Sequence, residues 1–423
     1  MSLPGRSSGV LLHITSLPGG RLGREAFGFV DWLASAGQTW WQMLPLEPPD
    51  RHRSPYKAAS AFAAWRGLLS APRARVSAAE ILEFREREAY WVEDWTRLAR
   101  GSRAELVADQ VRFEREWAAL REYAAARGVR LMGDIAIYVA QGSVDHRAHP
   151  WLFGSGFVAG APPDAFSDLG QLWGNPLYDW SALRETGYRW WLERLRRSLS
   201  AFDAVRLDHF RGFVAYWAVP AGASDARSGH WRRGPGAALF DAFRTEFGEQ
   251  LPLVAEDLGL ITPAVEALRD RFALTGMVVL QFGFGRGAER FSPHAFVNHA
   301  VERIAYTGTH DHDPIAAWYA GLAPAERARV DRVCAAAGIS PRVSSDAEPW
   351  WQLVRLCLAS RAAVAIVQAQ DLLGLGAEAR MNHPARQGGN WRWQLQPRAL
   401  TPALAERLRE ATVASGRAGG ARV

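Results

Sequence analysis

The sequence has 423 residues, which exceeds one small domain and suits one barrel with insertions. With 48% hydrophobic and 22% charged residues, it can bury a large core and lacks the composition of a disordered chain. Its formal net charge of +6 comes from arginines spread along the chain, since Lys57 is the only lysine. No basic block or known nucleic-acid module accompanies that charge, so we expect no nucleic acid partner.

Cysteine usage and hydropathy indicate where the protein acts. Cys334 and Cys357 cannot build a disulfide framework and lack metal-ligand spacing, which points to a reducing compartment. The first six residues have no apolar stretch behind their charge, as a secretory signal would have. No run approaches the ~18 apolar residues of a membrane span. We therefore expect a cytoplasmic protein that has no membrane partner.

The predicted elements, in chain order, alternate between short apolar runs and helical stretches. The runs that we interpret as strands are residues 9–14, 39–46, 130–138, 204–208, 253–256, 277–282, 304–307 and 364–368. The clearest helical stretches between them are residues 25–36, 188–199, 263–272 and 348–359. Gly37 is placed to end the first of these helices, and Thr262 with Pro263 to begin the third.

This alternation predicts an α/β fold, a (β/α)8 TIM barrel whose parallel strands are buried on both faces. We assign residues 1–423 to a single barrel, because no repeat and no low-complexity linker divides the chain. Two segments exceed a minimal barrel: a polar helical insertion at about 47–128, and a loop insertion rich in Pro, Gly and aromatic residues at about 140–185. Each follows a strand, so both are expected over the C-terminal ends of the strands, where barrel active sites lie.

Three carboxylates come at the ends of three different predicted strands. Asp208 ends the fourth strand, Glu256 ends the fifth, and Asp311 lies just after the seventh. Each alone is often a helix cap. Because parallel strands bring their C-terminal ends to one side of a barrel, we expect the three side chains in one pocket. The 19 tryptophans suit a carbohydrate ligand, since sugar C–H faces pack on indoles, although many of them must be core.

These residue types favour cleavage of a glycosidic bond with retention of configuration. That reaction needs a carboxylate nucleophile and, about 5–5.5 Å away, a carboxyl group that first donates and then removes a proton. Arg206 shares a strand face with Asp208, so it would keep Asp208 ionised and orient it as the nucleophile. Glu256, at an apolar strand end near a negative charge, would have the raised pKa of an acid/base. Asp311, with His310 beside it, could hydrogen-bond the sugar hydroxyls.

Longer motifs surround these positions. They are Trp231 and residues 12–19, 54–56, 133–139, 162–164, 174–178, 378–382 and 389–391. With the three carboxylate segments they resemble amylomaltase, the 4-α-glucanotransferase of glycoside hydrolase family 77. The resemblance covers almost the whole chain except about residues 66–105. It implies an enzyme that moves maltooligosaccharide or α-glucan segments through a covalent glycosyl intermediate, with no metal and no organic cofactor. It leaves the oligomeric state open.

The resemblance also implies a role for each matched residue. Asp208 would be the nucleophile, Glu256 the acid/base and Asp311 the stabiliser of the transition state, in agreement with the chemistry above. Four further residues would surround the sugar ring at the cleavage point: Arg206, His310, Tyr56 and Asp134. Trp231 would lie on a flexible loop over the acceptor side, and Asn390 would line the cleft. Three others would either bind substrate or brace their loops: Trp173, Asn175 and Asn382.

Some positions depart from the family pattern. The segment Asp50-Arg51-His52-Arg53 stands where the family has Gly-Tyr-Gly-Asp, and Gly285-Arg286 replaces an acidic pair. His312 and Pro314 replace an Asn and a Thr. Since Arg51, His52, Arg53, Arg286 and His312 all follow strands, we hypothesise that they concentrate positive charge around the cleft and suit an anionic saccharide, such as a phosphorylated glucose or maltose.

Two other functions stay open from the sequence. One is an α-glucan hydrolase, because the choice between transfer and hydrolysis depends on loops that exclude water and not on the three carboxylates. The other is a glucan-binding protein without activity, which the intact Asp208, Glu256 and Asp311 argue against. Products from maltotriose distinguish the enzymes, because transfer gives glucose with longer chains whereas hydrolysis gives only shorter ones.

Overall fold

A computed structural model of the chain describes residues 5–163, 167–339, 348–384, 386 and 388–418. Asp164 of the motif at 162–164 lies outside the described residues. The strands are β1 (Ser7–Leu11), β2 (Trp40–Gln42), β3 (Arg130–Ile135), β4 (Phe153–Ala161), β5 (Gln171–Tyr178), β6 (Ala204–Leu207), β7 (Ala215–Pro220), β8 (His230–Arg233), β9 (Leu253–Ala255), β10 (Gly276–Val279), β11 (Arg303–Tyr306) and β12 (Val364–Gln368).

The helices lie between these strands and after the last of them. They are α1 (Arg24–Ser35), α2 (Ala78–Arg87), α3 (Val92–Leu98), α4 (Arg103–Ala125), α5 (Val144–Ala148), α6 (Trp180–Glu185), α7 (Arg189–Ala201), α8 (Ala237–Phe247), α9 (Pro263–Arg271), α10 (Ala288–Phe291), α11 (Ile315–Gly321), α12 (Pro324–Ala336), α13 (Pro349–Ala359), α14 (Ala369–Leu372) and α15 (Pro402–Ala414). In the described part of the chain, none of them combines the length and apolar character that a bilayer span requires.

Eight parallel strands form the barrel, in the order β10-β11-β12-β1-β2-β3-β6-β9. A bridge between Val254 and Thr275 joins β9 to the residue just before β10 and closes the ring. Each of the eight predicted strands overlaps one of these, so the predicted TIM barrel is confirmed. The predicted first, second, third and sixth strands run too far, because the chain leaves the sheet earlier; residues Ile14–Ser16 and Leu280–Phe284, for example, form 3-10 turns.

Both faces of the barrel strands are buried, which explains their continuous apolar runs. On β12, Val364 and Ile366 belong to the cluster that fills the barrel, whereas Ala365 and Val367 belong to the larger cluster between strands and helices. This is the period of two expected when successive side chains point to opposite faces. Gly37 adopts a left-handed conformation, with φ of +69°, just after α1 and so ends that helix as predicted.

Segments outside the minimal barrel follow strands β2, β3 and β6. Between β2 and β3, α2 and α3 pack on α4, and α4 itself packs on β3 and α1 as the crossover helix. The predicted loop at 140–185 contains β4 and β5, which join β7 and β8 in an antiparallel sheet of order β5-β4-β7-β8. The sequence did not indicate this sheet, because β4 is rich in Gly and Ala and shows no alternation of apolar and polar residues.

One buried arginine ties the chain together at the start of the first barrel strand. Arg417, after α15, is fully buried. Its guanidinium donates hydrogen bonds to five backbone carbonyl oxygens, those of Ser7, Leu358, Ser360, Ala362 and Ala363. These carbonyls belong to β1, to the last turn of α13 and to the segment that joins α13 to β12, so Arg417 holds the seam between the first and last strands.

Candidate active site

The centre of the site is a row of charged groups at the C-terminal ends of β3 and β6. Arg206 donates to Asp208 at 2.9 Å and to both oxygens of Asp134 at 2.9 and 2.7 Å. Asp134 is fully buried, whereas the Asp208 side chain is 27% exposed and is therefore open to a ligand. Burial raises the pKa of Asp134 to about 6, although the charge of Arg206 opposes this. Arg206 thus fixes Asp208 from behind.

Glu256, after β9, is held beside Asp208 by backbone groups. The amide N–H of His209 donates to one carboxylate oxygen at 2.7 Å, and that of Leu258 donates to the other at 3.0 Å. His209 can aim its amide there because its backbone is left-handed, with φ of +51°, a conformation that stores strain of about 1–3 kcal/mol in residues other than glycine. Burial raises the pKa of Glu256 to about 8, opposed by Arg206 and reinforced by the negative charge of Asp208.

Asp311, after β11, is positioned by a segment much later in the chain. The side-chain amide of Asn382 donates to Asp311 Oδ1 at 2.6 Å, and its backbone N–H donates to the carbonyl of His310 at 3.0 Å. Arg380 donates to the backbone carbonyl of Asp311 and, at 3.1 Å, to the carboxylate of Asp313. The side chain of Asp311 remains 38% exposed. Asn382 therefore orients this carboxylate, which goes beyond the predicted choice between substrate contact and loop brace.

Aromatic rings connect the part of the site around Asp134 with the part around Asp311. The Tyr56 hydroxyl donates to Asp134 at 2.6 Å, and its ring stacks on His310 with centroids 5.1 Å apart. Trp391 packs against both rings, at 5.8 Å from Tyr56 and 5.6 Å from His310. Burial lowers the pKa of His310 to about 3, so its ring is neutral and can donate one hydrogen bond to a sugar hydroxyl.

Contacts thus run without a break from Asp208 to the residue next to Asp311. Asp208 is bonded to Arg206, Arg206 to Asp134, Asp134 to Tyr56, and Tyr56 stacks on the residue that precedes Asp311. Glu256 joins this row because its carboxylate accepts a hydrogen bond from the backbone N–H of His209, the residue after Asp208. The structure therefore brings together the three carboxylates and four of the predicted sugar contacts, namely Tyr56, Asp134, Arg206 and His310.

Three other predicted site residues make contacts that support loops. Asn175 is buried and donates to the carbonyl of Val139 at 2.8 Å. Asn390 is also buried; its amide donates to two loop carbonyls and its oxygen accepts from the N–H of His383 at 3.0 Å, which leaves no free donor for a sugar. Trp173 packs edge-on against His209, with centroids 4.8 Å apart. Trp173 is therefore the one of the three that contacts the residue next to Asp208.

Trp231 lies on strand β8 and not on a flexible loop, so that part of the prediction is wrong. The backbone pairing of β8 with β7 places Trp231 opposite Trp217. Trp231 is 40% exposed, and the guanidinium of Arg211 lies 3.8 Å from its ring centre. Arg211 follows Asp208 by three residues and also donates to the carbonyl of Leu260 at 2.7 Å. Trp231 is therefore a partly exposed ring on a paired strand, and it contacts an arginine that lies three residues after Asp208.

The departures from the family pattern have separate structural settings. The Asp50 carboxylate accepts from the backbone N–H groups of His52 and Ser54, both at 2.9 Å, and so shapes a tight turn. His312 bonds through Nδ1 to the hydroxyl of Thr309 at 2.8 Å. Burial lowers the pKa of His312 to about 4, so it adds no positive charge at neutral pH, contrary to the hypothesis above. Pro314 precedes α11 at its N-cap.

No group of three or more metal-ligating side chains occurs among the residues that the structure describes. What the arrangement provides is one partly exposed carboxylate fixed by an arginine, one carboxyl with a raised pKa, and a third, partly exposed carboxylate held by Asn382. Asn382, Arg380 and the backbone of His209 were not identified as parts of this arrangement from the sequence. For Asn382 the signal was present in the motif at 378–382, but no local pattern states that it reaches Asp311.

Comparisons with known proteins show what this chain is similar to. The family model described as 4-alpha-glucanotransferase matches residues 12–86 and 82–401. A 4-alpha-glucanotransferase of Thermus thermophilus is 40% identical over 99% of this chain and all of that protein. A chloroplastic/amyloplastic relative from Arabidopsis thaliana is 36% identical over 92% of this chain and 81% of its own. The structure of Streptococcus agalactiae amylomaltase in complex with acarbose is similar at a TM-score of 0.89, with 30% identity, covering 97% of this chain and 99% of that one.

Proposed function

This chain belongs to the 4-alpha-glucanotransferase family, and we propose that it transfers α-1,4-glucan segments between maltooligosaccharides with Asp208, Glu256 and Asp311 as its catalytic carboxylates. The observation that supports this assignment best is the contrast between Asp208 and Glu256. The Asp208 side chain is 27% exposed and accepts a hydrogen bond from Arg206, whereas burial raises the pKa of Glu256 to about 8. Two carboxyl groups whose environments differ in this way can divide the roles of nucleophile and proton donor.

The first half of the reaction follows from these two environments. Asp208 attacks the anomeric carbon and forms an ester with the donor glucan, while Glu256 gives its proton to the departing glycosidic oxygen. The raised pKa of Glu256 means that its carboxyl is protonated at neutral pH, as a general acid must be. The backbone N–H groups of His209 and Leu258 then stabilise the carboxylate that remains after the proton has left.

The second half reverses the roles. Ionised Glu256 removes a proton from the 4-hydroxyl group of an acceptor glucan, the acceptor oxygen attacks the anomeric carbon, and the Asp208 ester is released. Asp311, held by Asn382, faces the sugar hydroxyls, where its hydrogen bonds strengthen as the ring distorts toward an oxocarbenium ion. Stacked Tyr56 and His310 hold the same ring in place.

The acceptor contact is assigned to Trp231. Its exposed ring is held against Arg211, three residues after the nucleophile, so an incoming sugar stacked on the indole would lie near the ester and exclude water. Such a platform favours transfer over hydrolysis. We also assign the protein to the cytoplasm, which is supported by Cys334 and Cys357, both buried with free thiols.

Incubation of the enzyme with maltotriose tests the function directly. Transfer is expected to give glucose together with maltopentaose and longer chains, and the total number of reducing ends should stay constant because each cleavage is followed by a new bond. A rise in reducing ends with only shorter products would show a hydrolase. No consumption of maltotriose, with an intact fold by circular dichroism, would contradict a role in glucan chemistry.

A further inference from the structure

A cavity beside the catalytic aromatic residues has an unbalanced positive charge. It measures about 310 Å3 and lies between the segment after β1, the segment after β2 and the segment that contains Trp391; we name it the arginine cavity. Its walls include Arg21, Arg53 and Arg392. Within the described residues, none of these three guanidinium groups has a hydrogen bond or ion pair, whereas Arg66, Arg87 and Arg197 are paired with carboxylates.

Two buried polar groups on the same cavity also lack partners. His13 is 7% exposed, and its Nδ1 has no hydrogen-bond partner among the described residues. Burial lowers the pKa of His13 to about 3, so the ring is neutral and offers one donor and one acceptor. Glu47 Oε2 is likewise buried without a partner, in the part of the chain that the structure describes. Unpaired buried polar groups are unusual in folded proteins, and a bound ligand would satisfy them.

Glu47 is the one carboxyl group among the described residues of the walls, and it is too weakly ionised to cancel three arginines. Burial raises the pKa of Glu47 to about 7, opposed by the charge of Arg194, so it is partly protonated at neutral pH. Glu47 and His13 suit hydroxyl groups, whereas guanidinium groups suit phosphate oxygens because they donate paired hydrogen bonds. The cavity therefore combines contacts for a sugar with contacts for an anion.

Size and position narrow the ligand further. A volume of about 310 Å3 lies at the lower end of the ~300–1,000 Å3 range of small-molecule sites, which limits the occupant to about one substituted sugar ring. Trp391 is shared: its ring lines this cavity and packs against Tyr56 and His310 of the catalytic row. A ligand here would consequently lie next to a glucan in the active site.

We propose that the arginine cavity binds the phosphate ester of a glucosyl unit, through Arg21, Arg53 and Arg392, beside the catalytic centre. The inference rests on the glucan-transfer function proposed above and revises the charge hypothesis drawn from the sequence. Of the five residues in that hypothesis only Arg53 lines the cavity, and Arg21 and Arg392, which come from other segments, take the place of the rest.

Calorimetric titration of the full-length enzyme with glucose 6-phosphate, glucose and inorganic phosphate tests the proposal. Glucose 6-phosphate should bind more tightly than either of the others, and its affinity should fall several-fold between about 20 and about 300 mM salt. The variant R21Q/R53Q/R392Q should weaken that binding by about tenfold or more. Equal affinity for glucose and glucose 6-phosphate would overturn the proposal, and so would inorganic phosphate binding as tightly as the ester.

A matched control separates the site from the overall charge. The variant R73Q/R332Q/R361Q removes the same three charges from exposed arginines that do not line the arginine cavity. It should bind glucose 6-phosphate like the unmodified enzyme. An equal loss in both triple variants would show a general charge effect and refute the cavity as the site.

Two further measurements identify the source of the ester and distinguish failure of this inference from failure of the proposed function. A maltotriose that carries a 6-phosphate on its non-reducing glucose should bind more tightly than glucose 6-phosphate if the ester belongs to a glucan chain; equal affinities would identify a free sugar phosphate. Disproportionation of unmodified maltotriose is measured in parallel. An enzyme that disproportionates maltotriose but does not prefer the esters refutes only this inference, whereas one that does neither refutes the proposed function as well.

Discussion

Replacing Glu256 with Gln should stabilise the fold, and should do so increasingly as the pH rises. The pKa of Glu256 is about 8 in the folded protein and about 4.5 when the chain is unfolded. Because the folded value is the higher one, the folded protein holds a proton between these limits that the unfolded chain has released. The resulting stability is fully present below about pH 4.5 and is lost as the pH rises through about 8.

The size of the effect follows from the difference between the two pKa values. At about 1.4 kcal/mol per pH unit, the span from 4.5 to about 8 corresponds to a loss of about 5 kcal/mol. Glutamine cannot titrate and keeps nearly the same volume. Over the practical range from about pH 5.5 to about pH 8, the advantage of Glu256→Gln should therefore grow by about 3 kcal/mol. Glu47 and Asp134 titrate in the same range, but they are present in both proteins and cancel in the comparison.

Urea unfolding followed by tryptophan fluorescence, at several pH values, measures this difference. Glu83→Gln is the control, because it makes the same chemical change at a carboxylate on α2 that is 77% exposed. If the curves for Glu256→Gln and the unmodified protein remain parallel from about pH 5.5 to about pH 8, the reasoning about Glu256 is wrong. A parallel result would also remove the argument for Glu256 as a proton donor at neutral pH.

Three substitutions test the other assignments through catalysis. Asp208→Asn should lower kcat by about 10⁴-fold or more. The single variant Glu256→Gln, in which Asp208 is intact, should carry a covalent adduct on Asp208 after incubation with a glycosyl fluoride donor, as measured by mass spectrometry; an adduct elsewhere contradicts the nucleophile assignment. Asn382→Ala should lower kcat by about tenfold to a hundredfold with little change in KM, because one charge-assisted hydrogen bond to Asp311 is lost; a change confined to KM would speak against it. Trp231→Ala should reduce the fraction of transfer, measured as longer products per maltotriose consumed, more than total consumption; equal losses would show that Trp231 only anchors β8.

The barrel and its carboxylates were predictable because they obey local rules. Strands buried on both faces read as apolar runs, and residues two apart share a face, so the sequence alone suffices to pair Arg206 with Asp208. The reach of Asn382 to Asp311 crosses 71 positions in the chain and has no local signal. The left-handed backbone of His209 also has no sequence signal, since the position holds neither Gly nor Asn.

The parts that were predicted wrongly or missed depend on tertiary packing. The resemblance implied that Trp231 lies on a loop, yet pairing with β7 places it on a strand. His312 was counted as a positive charge from its residue type, but burial against Thr309 and Phe282 leaves it neutral. The sequence does not predict that Arg21 and Arg392 share a site, because only folding brings segments so far apart in the chain to the walls of one cavity. Burial and long-range contact decide these cases, and neither is written in a short window of sequence.

The buried Arg417 also bears on when the barrel can close during synthesis. Its bond to Ser7 joins residues 410 positions apart, and β1 pairs with β12 at the same seam. Until the ribosome has released β12, a nascent chain exposes one edge of β1, and exposed strand edges promote association between chains. The hydrogen bonds of Arg417 are added later still, after α15 has been made. Truncation just before Arg417 would leave the seam between β1 and β12 paired but would deprive five backbone carbonyl groups of a donor, and it is therefore expected to lower the yield of folded protein during translation.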